Sequence, residues 1–73
     1  MQDTVTTLLN LVLPKNCNCE KMLPQVYRIT CADFSTARGV WEHRFESLYP
    51  LLKKGDVLEV VGEEFYVKSH PKP

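Results

Sequence analysis

The spacing of hydrophobic positions changes several times along this chain of 73 residues, and each change marks a predicted element. In the opening run, Thr4 to Leu13, five residues are β-branched. Their stiff χ1 favours a pleated backbone and predicts a first strand. Val5, Leu8, Leu9 and Val12 also fall at i, i+3, i+4 and i+7, with Asp3 placed to cap them, so a helix is the competing reading. Pro14 ends either element because it has no amide hydrogen to continue it. From Lys15 to Pro24 neither period is present, which predicts a connecting loop of about ten residues, long by the usual standard.

Gln25 to Cys31 sets Tyr27, Ile29 and Cys31 against Val26, Arg28 and Thr30, the period of a half-buried strand with its odd-numbered face inward. After Asp33 the spacing becomes helical: Ser35 is the expected N-cap, and Ala37, Trp41, Phe45, Leu48 and Leu52 share a stripe. Gly39 weakens that helix by about 1 kcal/mol relative to Ala, and Pro50 disfavours helix at Tyr49. Gly55 suits a left-handed exit after Leu51-Leu52-Lys53-Lys54. Asp56 to Val61 and Phe65 to Lys68 then read as a hairpin around Gly62-Glu63-Glu64, with Gly62 supplying a positive φ. The expected class is α+β: a small, largely antiparallel sheet of about four strands with one main helix packed on it. It forms a single domain over residues 1–68, and 69–73 are left as a flexible tail with no apolar anchor.

Composition adds limits to this outline. The chain is 44% hydrophobic and 25% charged, with nine Lys+Arg against nine Asp+Glu. That is one small core, whose net stability should be about 4–11 kcal/mol if it folds alone. A net charge of zero argues against a polybasic coat for nucleic acid or membrane. No apolar run approaches the ~18–20 residues that span a bilayer, and Met1-Gln2-Asp3 does not open a secretory signal, so a cytoplasmic protein without membrane association is expected. Three cysteines cannot all pair within one chain. A Cys17–Cys19 bridge across one residue would be strained, and reduced thiols are the expectation.

Candidate chemistry is sparse. Zinc ligation would recruit Cys17, Cys19, Cys31 and His43 or His70, but the spacing lacks a second ligand pair. A Cys31, Asp33 and His43 constellation has nothing local to fix its geometry, and three scattered glycines build no phosphate-cradling loop. No catalytic, cofactor-binding or metal-binding residue is therefore assigned, and the chain is not expected to be an enzyme. Arg38, Arg44, Lys53 and Lys54 near Trp41 and Tyr49 offer a nucleic-acid surface, offset by Glu42 and Glu46 and by the claim of the core on Trp41. At the C-terminal hairpin Glu59, Glu63 and Glu64 beside Tyr66 suit a basic partner and are the candidate partner-binding residues.

In length, neutral composition and a Cys-poor α+β pattern from Met1 to Pro73, the chain resembles small bacteriophage transcription regulators that bind the host bacterial RNA polymerase. That resemblance implies docking on the largest polymerase subunits, inhibition of initiation by disfavouring σ association, and antitermination. The expected function is a non-enzymatic protein-binding regulator acting on a larger host protein. The alternative is a small nucleic-acid-binding or zinc-stabilised module.

Overall fold

The computed structural model describes residues 4–73. The chain runs through α1 (Thr4–Val12), β1 (Cys17–Leu23), β2 (Val26–Cys31), α2 (Phe34–Glu42), α3 (Arg44–Ser47), a 3-10 turn (Tyr49–Leu51), β3 (Val57–Gly62) and β4 (Phe65–Lys68). The class is α+β, as expected. The four strands form one sheet in the order β1-β2-β3-β4. β1 with β2 and β3 with β4 are antiparallel hairpins, while the central β2–β3 pair is parallel. A parallel neighbour needs a long crossover, and α2, α3 and the 3-10 turn supply it. No helix among the described residues is long and apolar enough to cross a membrane.

The inward face of β2 is the odd one, as its alternation requires: Tyr27, Ile29 and Cys31 are buried. They meet Leu58 and Val60 of β3, whose register places Tyr27 opposite Leu58 and Ile29 opposite Val60. Val5 and Leu9 of α1, Ala37 and Val40 of α2, and Leu48 and Leu52 after α3 close the core over this face.

Two expectations are corrected here. Thr4–Leu13 is not a strand: Thr4–Val12 is helical, with Val5 and Leu9 buried. Helix propensities cost β-branched residues only up to about 0.7 kcal/mol each, less than tertiary contacts return. Asn10 fastens the helix down, since its side-chain amide donates to the Cys19 carbonyl at 3.1 Å and accepts from the Cys19 amide at 2.8 Å. Asp3, the potential cap, lies outside the described residues. Conversely, Lys15–Pro24 is not a loop throughout, because Cys17–Leu23 forms β1. Only Cys19 in it is fully buried, so no hydropathy period announces it.

Three local details also differ. Asp33, not Ser35, caps α2, its carboxylate accepting the Thr36 amide at 2.7 Å. The helix stops at His43, before Pro50, and that early break leaves Phe45 of the expected stripe 62% exposed. Gly62 does not provide the positive φ of the hairpin; Glu64 does, at 54°. Gly62 answers to packing instead, because a Cβ there would lie 2.6 Å from the Ala37 Cβ and 2.9 Å from the Asp33 carbonyl oxygen.

Beyond β4 the chain has no regular structure but is tied by polar contacts. The Ser69 amide donates to the Leu58 carbonyl and the Lys72 amide to the Asp56 carbonyl. Lys72 Nζ donates to the carbonyls of Tyr49 and Leu52 at 2.7 and 2.8 Å, placing a cation on the open end of the 3-10 turn.

Candidate functional site

On the outer face of the sheet the registers line up one charged residue per strand: Glu20 opposite Arg28, Arg28 opposite Glu59, and Glu59 opposite Lys68. Glu59 lies between the inward-facing Leu58 and Val60, so its side chain emerges on this opposite face. It is only 5% exposed. Arg28 Nε donates to one carboxylate oxygen at 3.1 Å, and the Tyr66 hydroxyl donates to the other at 2.7 Å.

The Tyr66 hydrogen bond is the main reason the Glu59 carboxyl is held below its ordinary 4.5; burial opposes this, and Arg28 and Lys68 add to it. The same bond pushes the Tyr66 phenol above its ordinary 10.0. A carboxyl depressed on folding contributes stability above its unfolded pKa, and the contribution is lost as pH falls through the folded value. A phenol raised on folding contributes below its unfolded pKa and loses it as pH rises through the folded value. Tyr66→Phe should therefore lower stability at neutral pH, and the gap from the parent should narrow below pH 4.5 as Glu59 protonates. Urea titrations across that range check it; a gap constant with pH would sever the link between the two groups.

Of the four candidate partner-binding residues, the structure separates Glu59 from the others electrostatically. Glu59 is neutralised in mid-sheet, whereas Glu63 and Glu64 are exposed in the β3–β4 turn and have no ion-pair partner among the described residues. Tyr66 keeps 57% of its surface in solvent while its hydroxyl is committed to Glu59.

The turn acquires neighbours that sequence reasoning missed. The close approach of Gly62 to Asp33 and Ala37 brings the start of α2 against the hairpin. There Phe34 and Phe65 meet edge to face, with ring centroids 5.6 Å apart. Phe34 remains 45% exposed. Asp33 precedes Phe34 and Glu64 precedes Phe65, so acidic residues adjoin both rings in the chain, and the Asp33 carboxyl, hydrogen-bonded by Thr36, is held below its ordinary 3.8. The available signal was the glycine two residues before Glu64, once read as a close approach instead of a turn.

The basic residues are spent differently. Arg38 pairs with Glu42 within α2 at 3.1 Å. The Arg44 guanidinium lies over Trp41 and Phe45, 3.9 and 4.4 Å from their ring centroids, and donates to the Trp41 carbonyl. Trp41 is half-buried and covered by that arginine, at the margin of the core. Lys53 and Lys54 are exposed.

Cys31 neighbours Cys17, and no hydrogen bond joins it to His43. Among the described residues no three His, Cys, Asp or Glu side chains gather as a metal site. An open groove of about 450 Å³ runs between the end of α1 and the α2–α3 break, lined by Val12, Leu13, Gly39, Val40, His43 and Leu48 among others. No protein-family model matches the chain, and no curated protein or solved structure matches it either.

Proposed function

We propose that this chain is a non-enzymatic regulator that works by docking on a larger host protein, in the bacterial cytoplasm. The partner is the one implied by the resemblance to phage regulators, the bacterial RNA polymerase, with initiation inhibited through σ and antitermination as the outcome. The observation that carries docking is the patch at the β3–β4 turn: carboxylates of Asp33, Glu63 and Glu64 without cationic partners among the described residues, adjoining, in sequence or in the same turn, the Phe34–Phe65 pair, of which Phe34 is 45% exposed and Phe65 packs against the core. Unpaired charge beside an aromatic pair suits a basic partner segment, the charges steering encounter and the rings supplying apolar contact. Cys31 is pushed up to about 12, chiefly by burial, the opposite of what activates a catalytic thiol at that position.

Charge reversal at both turn positions, Glu63→Lys with Glu64→Lys, should weaken capture of purified bacterial RNA polymerase on the order of tenfold at low salt. The circular dichroism spectrum should not change. Unchanged affinity would remove this patch from the interface, and absence of capture by the parent at low salt would remove the polymerase as the partner.

A further inference from the structure

Cys17 and Cys31 are directly opposed in the β1–β2 hairpin. The flanking bonds define the kind of pair: the amide and carbonyl of Cys19 turn away to Asn10, and the Ala32 amide bonds the Asn16 carbonyl. These alternations make Cys17/Cys31 a pair without mutual backbone hydrogen bonds, the position at which antiparallel side chains come nearest. Their sulfur atoms are 3.0 Å apart. Cys19 faces the same side but is opposed by Ile29, so it has no cysteine across the ladder.

We propose that Cys17 and Cys31 are a dithiol modification site, converted reversibly to a cross-strand disulfide by exchange with a low-molecular-weight disulfide such as oxidised glutathione. Cys17, the more exposed of the two, attacks first as its thiolate: its sulfur bonds one sulfur of the small disulfide, and the other leaves as a thiolate. Cys31 then gives up its proton and attacks the Cys17 sulfur, breaking the mixed bond and expelling the second small thiolate. Two protein thiols and one small disulfide yield one protein disulfide and two small thiols, which carry the two protons. Burial and the neighbouring Cys17 both raise the Cys31 pKa. Capping Cys17 removes that neighbour's negative charge, so the second step becomes easier only after the first has occurred. The site is independent of the docking patch.

The test uses the folded full-length chain in buffers of graded reduced and oxidised glutathione, followed by thiol alkylation and intact mass. Support is a loss of two hydrogen atoms, one remaining alkylated cysteine mapped to Cys19, a Cys17–Cys31 cross-linked peptide, and a melting temperature several degrees higher in the oxidised form. Cys31→Ser should stop at a glutathione adduct on Cys17, while Cys19→Ser should still close the bridge. A persistent adduct on the parent chain, a bridge that includes Cys19, or three alkylatable thiols under the most oxidising buffer would each overturn the assignment.

Discussion

Ile29→Ala should cost about 2–5 kcal/mol, a large share of the about 4–11 kcal/mol available to a chain of this size. Ile29 is fully buried at the middle of the sheet, with Cys19 opposite it on one side and Val60 on the other. Leu9, Leu48 and Leu58 are equally sealed from solvent, so the cavity left behind would be framed by elements already locked in contact and unable to collapse far. In urea the midpoint should fall sharply while the slope stays near that of the parent. Leu11→Ala on α1, where the side chain is 75% exposed, should change stability by no more than about 0.5 kcal/mol. Equal losses at the two positions would mean that Ile29 is not a central core residue.

The second large effect is expected at a glycine. Gly62→Ala forces a Cβ to within 2.6 Å of the Ala37 Cβ and 2.9 Å of a backbone oxygen, and neither obstacle is the free end of a flexible side chain. Either α2 lifts from β3 or the strand bends, at a cost of about 1–3 kcal/mol. Because the same contact holds the start of α2 against the β3–β4 hairpin, any binding through the proposed docking patch should fall along with stability. Gly39→Ala is the counterpart. Its added methyl meets nothing within 4 Å, and the gain in helix propensity of up to about 1 kcal/mol should raise the midpoint. Similar signs for the two substitutions would contradict the α2–β3 approach.

These two glycines show where the sequence speaks clearly and where it falls silent. A glycine before two glutamates in a hairpin looks like a turn residue, yet Gly62 is small because α2 passes over it, and the left-handed position falls on Glu64. The alternation of Val26–Cys31, the β3–β4 hairpin and the α+β class were legible because each rests on local periodicity. β1 was not, since it is paired on one side only and buries one residue completely. α1 was misread for a related reason. Its β-branched composition favours a strand, and what makes it a helix is burial of Val5 and Leu9 against partners remote in the chain.

The candidate site was half visible. Glu63 and Glu64 stand out as charge in a turn, but only the cross-strand register shows that Glu59 faces Arg28 and Lys68 and is cancelled there. Asp33 and Phe34 join through the crossover packing of α2, which no spacing rule encodes. The sulfur pair was hidden for the same reason, because opposing Cys17 to Cys31 requires knowing that the stretch between them is a hairpin.

The Asn10 amide, bonded to both main-chain groups of Cys19, occupies the seats that an incoming ribbon from another molecule would need. A foreign strand pairing with β1 at Cys19 would therefore have to displace the Asn10 side chain and with it the hold of α1, whose Val5 and Leu9 are buried. One uncharged side chain thus closes the free edge of β1 at Cys19 to a second ribbon.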